Sequence, residues 1–363
     1  MSVTMIGLDT AKAVFQVHGV DEAGRAEIRR TLRRGEVVGF FEAQPACTVV
    51  LEACGAAHHW GRVLTGLGHT VKLIPPEAVR PFVKPGRKND AADAAALCEA
   101  ARRPEVEFVP VKGLAQRGTL ALHSARALLI KQRTMLADAV RGLAAEFGLV
   151  VPLGFGELAD LVARVEAEPS VPEAARQALR ALHAQLGAVC EAAAALEAPI
   201  VEHARHDETA RRLATIPGIG PITASLMAAT VTDVGLFKGA RHFAARLGLA
   251  PRQHSTGGKA RLGRITEAGN EQIRMLPVLG ATSMVRRAER WNSAAGAWVR
   301  GVPARRPARL ATVALANKMA RIAPRQRPSA LPPCGTDRCA MALMTHEEDY
   351  RPSGRAAAAA GAA

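Results

Sequence analysis

Between residues 4 and 75, short apolar runs with twofold alternation (TMIGLD, AVFQVHGV, AEIRRTL, CTVVLEA, TVKLIP) are interleaved with stretches of helical periodicity (EVVGFFEA, HHWGRVLTGLG). That pattern predicts a mixed α/β layer fold, in which a ligand site forms where strand ends meet helix starts. A GRKND segment then leads into a helical stretch, NDAADAAALCEA, with Asn89 reading as its N-cap. Residues 1–110 are thus expected to form one α/β domain of catalytic type.

The pattern changes at residue 111. From there to 206 the chain has no strand-like alternation and few glycines, and its apolar residues recur at three and four. Long amphipathic helices follow, broken by a turn at VVPLGFG, residues 150–156. They could pair as an antiparallel or intermolecular coiled coil, or pack as a plain helical bundle. A third, mainly helical unit over residues 207–330 opens on ATIPGIGPITASLMAAT. The PGIG turn, with Gly218 and Gly220, resembles a helix-hairpin-helix, whose glycines expose backbone N–H groups to phosphate; an ordinary turn between helices is the competing reading. Residues 331–363 form an atypical loop and a low-complexity tail, GRAAAAAGAA.

Onto this frame the acidic residues fall in a distinctive order. Asp9 ends one strand-like run, Glu52 ends another, and Asp90 and Asp93 open a helix at i, i+3 spacing, which places both on one helix face. Singly, each has an ordinary explanation in a turn or in the helix dipole. Together they are what an RNase H-like nuclease fold needs to hold two divalent cations about 4 Å apart. Glu52, closing the buried-looking run VVLEAC, needs a partner or a cation in any case.

Charge adds a second site. The chain carries a formal net charge of +15 over 363 residues, and 19 Lys and Arg between Lys238 and Arg327 face only Glu267, Glu271 and Glu289. That local excess points to a polyanionic partner. Within it, Ser255, Thr256, Gly257 and Gly258 form a Gly-rich loop among Arg252, Lys259, Arg261 and Arg264. A hydroxyl so placed is suited to attack a phosphodiester, although Ser, Thr and Gly are also ordinary loop residues. The six cysteines show no CxxC pair. With no signal peptide or spanning apolar run, the expected setting is the reducing cytoplasm, with no membrane partner and no zinc site at Cys334 and Cys339.

The segments GLDTAK, LEACG, KNDAADAAAL, IPGIGPITA, GLAPRQHSTGGKARLGRITEAGN and VALANKMARIA, in this order, resemble the transposases of the insertion sequence 110 family, particularly its 1111 subgroup. The resemblance implies an N-terminal RuvC-like domain with a DEDD tetrad, a coiled-coil dimerisation segment and a C-terminal transposase domain bearing a catalytic serine. It makes Asp9, Glu52, Asp90 and Asp93 ligands for Mg²⁺. It puts the nucleophile in the HSTGG loop, at Ser255 or one residue on at Thr256. The implied partners are donor and target DNA, a structured guide RNA and further copies of the chain as dimer or tetramer, at the bacterial nucleoid. The insert PRQRPSALPPCGTDRC, from Pro324 to Cys339, departs from the family pattern.

The leading expectation is therefore an RNA-guided DNA transposase using Mg²⁺ and a serine nucleophile. Two others stand beside it: a RuvC-like structure-specific endonuclease that activates water at the same four acids, and a non-catalytic nucleic-acid-binding protein.

Overall fold

The structure, a computed structural model, describes residues 3–83, 90–231, 233–259, 261–290, 300–301 and 307–323. Asn89, the Pro324–Cys339 insert and the C-terminal tail lie outside the described residues. The chain divides into two compact units, Met1–Gln116 and Arg117–Ala363.

The first unit is built on a five-stranded sheet in the order β3-β2-β1-β4-β5. β1 (Met5–Thr10), β2 (Val14–Val20) and β3 (Ala26–Arg33) form an antiparallel meander. β4 (Thr48–Glu52) and β5 (Thr70–Ile74) extend it on the other side of β1 in parallel. This mixed topology is consistent with the RNase H/RuvC-like expectation. The alternation in the strands decides what each face packs against. Ile6, Leu8, Phe15, Val17, Leu32, Val49, Leu51 and Leu73 share one core with Phe41 of α1 (Val37–Glu42) and with Trp60 and Leu64 of α2 (Ala57–Gly66). On the opposite face, Val50 and Ile74 pack with Val79 of α3 (Pro76–Val79) and with Ala96, Leu97 and Ala100 of α4 (Asp90–Ala101).

One residue fixes how close α4 comes. A Cβ on Gly7, in the middle of β1, would lie 2.1 Å from the Ala94 backbone oxygen and 3.0 Å from Cys98 Sγ. The glycine removes the side chain that would hold the helix off the sheet.

In the second unit, α5 (Leu114–Ala145), α6 (Leu158–Ala167) and α7 (Glu173–His206) supply the expected long helices, and the break at 150–156 falls between α5 and α6. α5 and α7 run antiparallel: Arg126 Nη2 meets Glu197 Oε1 at 2.5 Å, while Ala137, Val140 and Ala144 share a core with Leu179 and Leu186. Leu158, Leu161 and Val165 of α6 complete that core, so this end is a local three-helix bundle. Among the described residues α7 alone has the length and apolarity to cross a membrane; its apolar window owes much to alanine, and Leu179 and Leu186 are buried in the bundle.

The rest of this unit comprises α8 (Glu208–Ala214), α9 (Pro221–Thr230), α10 (Ala240–Arg246), the hairpin β6 (Pro251–Gln253) and β7 (Leu262–Ile265), α11 (Glu271–Arg286) and α12 (Ala308–Ile322). Leu213, Ile216, Leu226, Phe243, Ile273 and Met319 meet in its core. A polar tie reaches this region from α5: His123 Nε2 and Ser225 Oγ are 2.9 Å apart and both buried, and Gln272 Nε2–H donates to the His123 carbonyl at 2.8 Å. Burial pushes the His123 imidazole down to about 4, so it is neutral at physiological pH.

Candidate active site

Because α4 lies against Gly7, its first turn arrives beside the end of β1. One carboxylate oxygen from each of Asp9, Asp90 and Asp93 lies within 4.8 Å of the others. Glu52 is outside this group. It ends β4, one step past the Leu8↔Leu51 pairing, so it stands on the strand next to Asp9. Its charge reaches Asp9 all the same. The Asp9 carboxyl is raised to about 6, first by burial and then by Asp90, Asp93 and Glu52, against the Thr10 backbone hydrogen bond that lowers it. The four-acid convergence expected from the sequence is thus three acids in one group and a fourth close enough to be felt.

None of the four has an ion-pair partner among the described residues. Like charges held this close with no cation are unfavourable unless one is protonated or a metal is bound. An all-oxygen donor set of carboxylates is the chemistry of hard divalent cations. The donors therefore fit such an ion.

The second predicted site lies, as expected, in a connecting segment, and the structure adds the pair of short strands that holds it. β6 and β7 pair antiparallel through Pro251↔Ile265 and Gln253↔Leu262, and Thr256 bridges to Lys259 across the tip. Gly257 and Gly258 both have positive φ, +55° and +77°, so the QHSTGGK segment turns as a two-residue primed hairpin rather than wandering as a flexible segment. Ser255 Oγ accepts two hydrogen bonds, from Gln253 Nε2–H at 3.0 Å and from the Arg261 backbone N–H at 3.2 Å. Thr256 is exposed at the tip. Lys259, Arg261 and Arg264 are exposed on the same hairpin, while Arg252 Nη2–H donates to the Thr266 carbonyl.

The PGIG turn has a different reason for its glycine. Gly218 has φ +86°, and a Cβ there would lie 2.3 Å from Met284 Sδ and 2.9 Å from Met319 Cε. Across the contact, a Cβ on Gly280 would lie 2.0 Å from the Gly218 carbonyl oxygen. Packing against α11 and α12 therefore accounts for Gly218. Gly220, the N-cap of α9, is exposed with open space around its Cβ position.

Comparison with known proteins decides what these two units make. A DEDD transposase pattern of the IS110 type matches residues 6–147, and the pattern of the transposase IS116/IS110/IS902 family matches residues 210–295. Among relatives, one from Sinorhizobium fredii bearing the name transposase y4pF/y4sB is 48% identical over 324 residues, covering 88% of this chain and 83% of that protein. The chain belongs to the IS110 transposase family. The transposase for insertion sequence element IS1328 of Yersinia enterocolitica is 39% identical, with 89% of this chain and 96% of that protein covered. The transposase for IS1111A of Coxiella burnetii is 36% identical, with 96% and 92% covered. This transposase is thus an enzyme of DNA cleavage and strand transfer, and the two matched segments contain, respectively, the acidic group and the Ser255 hairpin.

Proposed function

We propose that this transposase cuts and rejoins DNA with Asp9, Glu52, Asp90 and Asp93 holding Mg²⁺ and Ser255 as nucleophile, directed by a structured guide RNA. The observation that carries the metal part is the three-carboxylate group with its raised Asp9 pKa and no cationic partner among the described residues. Mg²⁺ bound there supplies neutralisation of the charge that builds on a phosphodiester as it is cut. For the nucleophile, support comes from the two N–H donors on Ser255 Oγ. They favour the alkoxide over the alcohol and aim the oxygen, while the exposed Lys259, Arg261 and Arg264 attract the phosphate. Attack by Ser255 Oγ on the phosphorus forms a phosphoserine ester to DNA and breaks the bond to the strand's leaving oxygen, which takes up a proton as the serine gives one up; a hydroxyl of the strand to be joined then attacks the ester, and a proton returns to Ser255 Oγ. Thr256, exposed one residue on, is the competing nucleophile.

The resemblance to the family supports the guide RNA, the donor and target DNA, a dimer or tetramer, and action in the cytoplasm at the nucleoid. Gly220, Arg252, Lys259, Arg261 and Arg264 belong to the nucleic-acid contact in this reading, and Gly218 shapes its turn. The test is a cleavage reaction on the DNA flanking this gene, with the RNA encoded beside it. Asp93→Ala should abolish cutting. Ser255→Ala should abolish a denaturation-resistant protein–DNA adduct while Thr256→Ala keeps it. The reverse pattern moves the nucleophile to Thr256, and cutting retained in both variants makes the enzyme a water-using nuclease.

A further inference from the structure

The α4 face of the sheet is covered only in part. α4 packs over β1 and β2 and reaches β4 and β5, and beyond it, toward β3, opens a cleft of about 680 Å³ between the helix and the β2–β3 pair. Strand alternation decides what lines it. In β3, Ile28 and Leu32 belong to the α1/α2 core face, and Arg30 lies with its guanidinium 5.7 Å from the Phe40 ring. Arg29, Thr31 and Arg33 therefore point to the other face, each exposed, about 7 Å apart along the strand; Arg29 and Thr31 line the cleft, and Arg33 lies outside its lining, further along the same edge. Neither arginine has an ion-pair partner among the described residues.

Register connects this row to the acidic group. Asp9 pairs with Gln16, and Gln16 with Thr31, so these three stand side by side on one face across three adjacent strands. Thr31 is then about 10 Å from Asp9, two strand spacings away. Thr31 Oγ1–H donates to Gln16 Oε1 at 3.0 Å, which leaves the Gln16 amide N–H groups as donors. One row further, Gly7, His18 and Arg29 repeat the alignment. Across the cleft the wall is small: Ala91, Ala92 and Ala95 of α4 leave room where larger side chains would fill it, and Phe82 lines it with the Arg103 guanidinium 5.6 Å from its ring centroid. The acid in the lining, Glu99, is 3.8 Å from Arg103, just past the end of its helix.

Cations and amide donors on one wall, with an aromatic ring and an apolar wall opposite, are what a single nucleic-acid strand requires: charge for the backbone and a surface for the bases. We infer that this cleft is the track of the DNA strand being cut, with Arg29, Thr31 and Gln16 inside it, and Arg33 further along the same edge, holding the phosphates next to the one at the acidic group. The inference rests on the acidic group being the cutting site. It assigns binding work to an edge strand that the catalytic chemistry leaves unused. It also accounts for why exposed arginines line this edge of the sheet while the acids lie two strands away.

The test is local cross-linking in the full-length chain. A photoreactive benzoylphenylalanine replaces Thr31, and the protein is irradiated with oligothymidylate or, separately, oligouridylate. The expected result is a thymidylate adduct whose yield falls about tenfold with Arg29→Glu and stays within about twofold with Arg29→Lys, which also verifies the fold. No adduct, an adduct indifferent to Arg29→Glu, or preference for the uridylate would overturn the assignment. A second readout separates this from the cutting-site reading: ferrous ion in place of Mg²⁺, with peroxide, breaks a strand near wherever the ion binds. Adduct without ferrous scission keeps the track and removes the metal from the acidic group. Scission lost with Asp93→Ala but no adduct keeps the metal and removes the track.

Discussion

The acidic group and the Ser255 hairpin are held by opposite means. Asp9 extends from a strand whose Ile6 and Leu8 are fully buried, and Asp90 and Asp93 begin a helix anchored by buried Ala94, Leu97 and Cys98. The hairpin has no such footing, since every residue of β6 is exposed and β7 buries little. It keeps its shape through backbone pairing, two left-handed glycines and the hydrogen bonds on Ser255 Oγ. Like charges must be forced together by a core, because nothing else offsets their repulsion in the absence of an ion. A hydroxyl that meets phosphate needs only orientation, and a hairpin among cations provides it.

If that contrast is right, damage to the packing under the acids should be the most severe. Gly7→Val places branched carbons against the Ala94 carbonyl, so α4 must move; we expect DNA cleavage to be lost and a destabilisation of about 1–3 kcal/mol in urea unfolding. Retained cleavage would show that the helix position does not set the carboxylates. Gly257→Val, at the hairpin tip, forces a β-branched residue into the left-handed region at a local cost of roughly 1–2 kcal/mol. The hairpin's amides should exchange faster with solvent while those of β1 and α4 do not change, and a change in both would couple the two regions.

A smaller effect follows from Asp9. Its folded pKa of about 6 lies above the ordinary 3.8, so the protonated carboxyl adds stability that is complete below the unfolded value and lost as pH rises through about 6. Cation-free protein should therefore show this contribution to Tm declining from about pH 4 to about pH 7. Mg²⁺ should raise Tm more at pH 8 than at pH 5, and Asp9→Asn should flatten both responses. A Mg²⁺ effect independent of pH would place the ion elsewhere. The smallest change is expected from Ser255→Ala. Two hydrogen bonds to a half-buried hydroxyl are lost where water can replace them, so stability should shift by no more than about 0.5 kcal/mol even as the DNA adduct disappears.

Much of this frame was legible from pattern alone, and the reasons are local. Period-two alternation marks β1 to β5, and the i, i+3 spacing of Asp90 and Asp93 requires nothing beyond the helix itself. What escaped depends on residues distant in sequence. That Gly7 admits α4 depends on Ala94, 87 positions away, and a lone glycine in a strand announces only that something comes close. Glu52 reads the same from sequence whether it joins the group of three or stands one strand over, because register between strands is a tertiary property. The short strands flanking the Ser255 loop escape pattern because Pro251 and Arg252 beside a serine and two glycines carry little strand signal. The Gly-Gly pair was the available clue. In AEIRRTLRR the edge strand's arginines were visible, but which of them share a face with Asp9 follows only from its pairing with Gln16.

The two units also differ in when they can exist. Every strand of the sheet and all four acids lie within the first 93 residues, whereas the core behind the hairpin needs Leu315, Ala316 and Met319 of α12. At ribosomal speeds of roughly 5–20 residues per second, the sheet emerges on the order of ten seconds or more before that helix. A chain whose synthesis stops short of α12 has its carboxylates assembled and its serine unsupported.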